Sequence, residues 1–143
     1  MRHRYDCHVR FSDVDVYGHV NNVKYFEYYQ EARIAFLLSL TGGELHTESS
    51  LRQVVAGVDV DYRRPILFRP EPYVVETWVT RIGTSSYDMA SRIIDPAGDG
   101  RDAQGGTLYS HAQVRMVTFD TATQRSRPLQ AAERARLESV LEV

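Results

Sequence analysis

Between Phe11 and Arg33 the chain reads FSDVDVYGHVNNVKYFEYYQEAR: two aspartates, a glycine, a histidine and an asparagine pair ahead of an apolar, tyrosine-rich run. Such a run reads as a helix, so Asp15, Gly18, His19, Asn21 and Asn22 fall at its start. The first turn of a helix has backbone N–H groups without internal partners and carries partial positive charge, which suits an anion or a developing oxyanion. Asn21 or Asn22 is a candidate N-cap, and Gly18 permits close backbone approach without a side-chain clash. A carboxylate beside such amides is the minimum equipment for attacking an acyl group. Amides and esters expel poor leaving groups and generally need a proton donor, whereas a thioester expels a thiol with a pKa of about 8.5 by analogy with cysteine. Asp15 would activate a water or attack the carbonyl itself, and the amides would hold the oxyanion.

The flanking elements must position this segment. YDCHVRF alternates Tyr5, Cys7, Val9 and Phe11 against Asp6, His8 and Arg10, the period of a half-buried strand ending near Ser12. From Asn22 to Leu40, Phe26, Tyr29, Ile34, Phe36, Leu37 and Leu40 recur at helical steps, covering enough of the surface to predict a well-buried helix. Gly42 and Gly43 supply its left-handed close. HTESSLRQ reads as loop, VVAGVDVDYRRPILF as a strand with Pro65 at its end, and PYVVETWVTRIG with SSYDMASRIID as an antiparallel hairpin turning at Gly83 to Ser85. A glycine-rich loop, PAGDGRDAQGG, leads to the strand TLYSHAQVRMVTFD. A short helix begins near Ser126 and Pro128, with Leu129, Leu137, Val140 and Leu141 on a thin stripe. One long helix with about four long hairpin-joined strands predicts an α+β fold: an antiparallel sheet wraps the helix and leaves its other face for a second copy.

Composition narrows the classes. At 143 residues the expectation is one domain over residues 1–143. Seventeen basic against nineteen acidic residues, a net charge of −2, argue against nucleic acid as the main partner. Cys7 is the one cysteine and excludes an internal disulfide. No apolar run approaches the roughly 20 residues of a membrane span, and MRHRYDCHVRF lacks a signal-peptide core, so a reducing cytoplasm is the expected location. Asp13, Asp15 and His19 lack a further His or Cys at ligand spacing, so no metal is expected.

FSDVDVYGHVNNVKY resembles the signature of the 4-hydroxybenzoyl-CoA thioesterase-like branch of the hotdog-fold acyl-CoA thioesterases, in which D-x-D-x-x-G-x-V precedes a central helix. The likeness continues through Glu31–Arg33, VDVDYRRP and the IGTSS turn. It implies the hotdog fold, Asp15 as the catalytic carboxylate, and polarisation of the thioester carbonyl by the Asn22 N–H with the Gly18–Val20 loop. It also implies a homodimer, often paired into a tetramer, with the site at the subunit boundary and no cofactor, coenzyme A being part of the substrate. For coenzyme A it points to Arg63, Arg64 and the turn holding Ser85 and Ser86; arginine suits phosphate through paired hydrogen bonds. Where some relatives carry an aromatic pair after the valine, this chain has Asn21 and Asn22, so the substrate is not carried over.

Plainer roles stand beside these. Aspartate is favoured in turns for local hydrogen bonding, and Asp13 is assigned to that role. His19 can bond substrate, act as a secondary acid or simply order the loop. The tyrosines at 25, 28 and 29 suit an acyl tunnel or, more simply, core packing. Arg63 and Arg64 also suit a solvated strand surface. Two other functions remain: a hotdog hydratase, whose motif has a different spacing and an Asn-Pro absent here, and a non-catalytic acyl-thioester binder, in which an unreactive residue would replace Asp15.

Overall fold

The computed structural model describes residues 2–42, 52–97 and 106–142. Most of the loop expected at HTESSLRQ, Gly43, and most of the glycine-rich loop lie outside the described residues. The elements in chain order are β1 (His3–Cys7), a 3-10 turn (Phe11–Asp13), α1 (Lys24–Thr41), β2 (Gln53–Tyr62), β3 (Tyr73–Ile82), β4 (Ser86–Asp95), β5 (Thr107–Asp120), β6 (Arg125–Ser126) and α2 (Ala131–Glu138). One antiparallel sheet in the order β1-β3-β4-β5-β2, with β6 beside β5, wraps α1 as the resemblance implies.

The β3–β4 hairpin forms where the alternation predicts it, Val75 opposite Ile93 and Trp78 opposite Ala90. β3 is buried on both faces. Tyr73, Val75 and Val79 join the core clusters, while on the other side Glu76 pairs with Arg4 and Arg92, and the Arg2 guanidinium lies 3.6 Å from the Trp78 ring. Charged stems thus cover apolar surface that would otherwise face water.

Several boundaries differ from the sequence expectation. β1 stops at Cys7, because Asp13 draws the following segment into a 3-10 turn by accepting from the Arg10 N–H at 3.0 Å. α1 starts at Lys24, and its C-cap is Gly42 with φ 68°. Its buried side is Tyr25, Tyr28, Tyr29, Ala32, Phe36 and Leu37, whereas Phe26 and Ile34 are exposed, so the helix is one-sided and not buried all round. α2 begins three residues after Pro128, with Gln130 as N-cap and a capping box to Glu133. Leu129 and Leu137 pack it on Phe36, Leu37, Val79 and Tyr87. Among the described residues no helix is long and apolar enough to cross a membrane.

Candidate active site

The segment between the 3-10 turn and α1 closes on itself. Val14 and Val20 form an antiparallel bridge, the Asp15 N–H donates to the His19 carbonyl at 2.8 Å, and the Gly18 N–H donates to the Asp15 carbonyl at 3.1 Å. Asp15 Oδ1 accepts from the Tyr17 N–H at 2.9 Å and the His19 N–H at 3.4 Å, an Asx-turn that fixes one oxygen. Its other oxygen has no hydrogen-bond partner among the described residues. Gly18 takes φ 82°, and a Cβ there would meet nothing within 4 Å. The backbone conformation by itself favours glycine there.

Asp13 points the other way. It is 1% exposed and accepts from the Tyr28 hydroxyl at 2.6 Å, the Arg10 N–H, and the Arg10 guanidinium at 3.3 Å. Burial opposes its charge, but these donors outweigh burial and hold its pKa below the ordinary carboxylate value. The near-extended backbone from 13 to 15 thus places one aspartate in the core and the next at the surface.

At the helix start the capping expectation is corrected. The N-cap is Val23 without a side-chain cap, and Asn21 Oδ1 instead accepts from the Val23 N–H at 3.0 Å, outside the helix. The N–H groups of Lys24, Tyr25 and Phe26 close i→i+3 turns onto the carbonyls of Asn21, Asn22 and Val23. Val20 donates to Ile66 and Asn21 to Asp13, so the amides from Gly18 to Asn21 are all engaged within the protein. The Asn22 N–H alone in this stretch has no partner among the described residues.

A second backbone bridge, His19 to Leu67, lays the β2–β3 connection beside this loop. The result is an open cleft of about 370 Å³ lined by Asp15, His19, Val20, Asn22, Tyr25, Tyr62, Arg63, Arg64 and Pro65. Arg63 and Arg64 both donate their N–H groups to the Tyr109 carbonyl, which fixes the backbone. The Arg63 guanidinium reaches Asp61 at 3.5 Å, and that of Arg64 has no ion pair among the described residues. Tyr25 is 3% exposed; its hydroxyl accepts from the Ile66 N–H, and its ring meets Tyr62 edge-on with centroids 4.8 Å apart. Tyr28 and Tyr29 are core residues, bonded to Asp13 and Ser110.

Ser85 and Ser86 do not join this cleft. Ser86 pairs with Val117 on β5 whereas Tyr62 pairs with Ser110, seven residues along the strand and roughly 20 Å away. Ser86 instead accepts from Arg81, and the Ser85 carbonyl accepts from Thr118. Tyr62 is the wall residue that sequence reasoning missed; the signal was its place beside Arg63 on an alternating strand. A larger cleft of about 550 Å³ lies between β1 and the outer side of α1, but it holds no helix start, and burial pushes its Cys7 thiol up to about 12. No group of three His, Cys, Asp or Glu side chains among the described residues is placed to hold a metal.

Residues 9–138 match the family model of the thioesterase-like superfamily. The chain is 27% identical over 133 residues to the long-chain acyl-CoA thioesterase FadM of Escherichia coli, covering 93% of this chain and 95% of that one. A thioesterase from Thermus thermophilus, solved with coenzyme A and Zn, matches with a TM-score of 0.76 and 28% identity over 95% of this chain and 92% of that one. The 1,4-dihydroxy-2-naphthoyl-CoA thioesterase of Synechocystis matches with a TM-score of 0.78 over 96% of each chain; at 17% identity it speaks for the hotdog architecture alone.

Proposed function

Because the chain belongs to the thioesterase-like superfamily and is a thioester hydrolase, we propose that it cleaves an acyl-CoA to the free acid and coenzyme A through Asp15 and the Asn22 N–H. The observation that carries this is their shared cleft: a carboxylate with one oxygen held and one open, beside an unengaged amide at a helix start. The open oxygen takes a proton from a water as that water attacks the thioester carbon, and the Asn22 N–H receives the developing oxyanion. One such donor contributes roughly 3 kcal/mol. Collapse of the tetrahedral intermediate expels a thiolate that needs little proton assistance, and His19 at the rim supplies what is needed. Attack by Asp15 itself would expel the thiolate and form a mixed anhydride, and hydrolysis of that anhydride at the Asp15 carbon would place solvent oxygen-18 in the Asp15 carboxylate during single turnover, which the general-base route does not. Thiol release over a panel of acyl-CoAs tests the activity. Likeness to a long-chain acyl-CoA thioesterase makes fatty acyl-CoAs the first members of that panel. Hydration without thiol release, or binding alone, would replace the proposal with a hydratase or a binder.

Arg63 and Arg64 receive the phosphates of coenzyme A, and no further cofactor enters. Arg64→Ala, and less strongly Arg63→Ala, raises KM for acyl-CoA about tenfold with kcat held, because phosphate binding is the same in ground and transition states. Steady-state kinetics at low salt reads the split, and an unchanged KM removes both from the site.

The working unit is a homodimer, pairing into a tetramer, in a reducing cytoplasm. Its support is β2: an edge strand of ten residues on which Val54, Val55, Val58 and Tyr62 are all exposed. An unpaired, apolar edge invites a second strand. Val58→Glu is expected to yield monomers by light scattering, and a dimer of unchanged mass would move the interface elsewhere.

A further inference from the structure

Tyr62 does more than wall the cleft. Its hydroxyl donates to the Asn22 carbonyl at 3.1 Å, and its ring braces Tyr25, the second residue of α1. The Asn22 carbonyl belongs to the peptide unit whose N–H is that of Val23, and this N–H is held from the opposite side by Asn21 Oδ1 at 3.0 Å. A trans peptide unit is planar with its N–H and carbonyl opposed, and there is no cis bond among the described residues, so two anchors at opposite ends fix the orientation of the plane. The preceding unit is held by its carbonyl, Asn21 O, which accepts from the Lys24 N–H at 2.9 Å. That carbonyl points into the helix, and the Asn22 N–H on the same unit therefore points away from it. Asn22 thus sits between two restrained planes, and one restraint comes from a strand 40 residues away in sequence.

We infer that Tyr62 is a positioning residue for the reaction: its hydroxyl, with the Asn21 side chain, clamps the 22–23 peptide so that the Asn22 N–H stays aimed at the thioester oxygen. This rests on the proposal that the Asn22 N–H is the oxyanion donor. Tyr62 transfers no proton to or from the substrate; its role is geometric, through the hydrogen bond its hydroxyl donates to the Asn22 carbonyl.

Tyr62→Phe keeps the ring and removes one solvent-facing hydroxyl, so the protein folds and the thermal midpoint is held. The expected result is a fall of about tenfold in kcat with KM for acyl-CoA unchanged, the signature of an interaction felt only in the transition state. The pH profile keeps its shape. Asn21→Ala, which loosens the other end of the same plane, lowers kcat in the same way, and the double variant loses less than the product of the two single losses. A Tyr62→Phe enzyme with wild-type kcat, a change confined to KM, or strictly multiplicative losses in the double variant overturns the inference. Asp15→Asn run in parallel separates the two levels. Full activity in Asp15→Asn sinks the parent mechanism, whereas an inactive Asp15→Asn beside an unaffected Tyr62→Phe sinks only the clamp.

Discussion

Asp15→Asn lowers kcat about a thousandfold in the thiol-release assay and leaves the protein folded. The magnitude follows from removing a positioned proton acceptor, a change that costs between a hundred- and ten-thousandfold. The fold survives because the Asx-turn asks only for an oxygen at Oδ1. An amide oxygen accepts from the Tyr17 and His19 N–H groups as well as a carboxylate oxygen does. Circular dichroism and the thermal midpoint therefore stay at wild-type values while turnover disappears. If turnover is retained within a factor of three, Asp15 is a turn residue and the chemistry lies elsewhere.

Asp13→Ala gives the complementary outcome: about 3 kcal/mol of stability is lost, a fall of roughly 10 °C in thermal midpoint, measured by calorimetry. The substitution removes the acceptor of the buried Tyr28 hydroxyl, leaving it unpaired in the core, and also that of the part-buried Arg10 N–H. The pH dependence has a definite sign. Because the folded pKa of Asp13 is depressed, its ionisation contributes stability above the unfolded value of about 3.9, and that contribution disappears as pH falls through the folded pKa. Asp88, held at about 2 first by Arg115, with burial opposing and Arg81 assisting, behaves alike. Acid denaturation of the wild-type protein as pH falls below about 4 is thus steeper than that of Asp13→Ala. A midpoint for Asp13→Ala within 2 °C of wild type would show that Tyr28 finds another acceptor.

Period-2 and helical periodicity made the long strands and α1 legible in the sequence, because burial of one face is written directly into residue order. The β3–β4 hairpin and the Gly42 cap are cases in point. What periodicity does not carry is which local hydrogen bond wins. Asn21 has the composition of a helix cap, yet its side chain bonds the Val23 N–H one turn early, so the helix starts later and the first-turn amides close on nearby carbonyls. The D-x-D pattern indicated two aspartates with different jobs, and Asp13 is indeed the structural one. Arg63 and Arg64 reach the cleft because His19 bridges Leu67, a backbone pairing that no residue type announces. Ser85 and Ser86, adjacent to the pattern that suggested them, lie at the far end of the sheet because a hairpin turn is separated from its partner strands' other end by the full length of the ladder.

Tyr62 is at once the last residue of the sheet's open margin and a face of the cleft. In the proposed dimer a substitution at Tyr62 would change both the cleft and the seam along which another molecule of the chain joins, so selectivity and self-association would vary together.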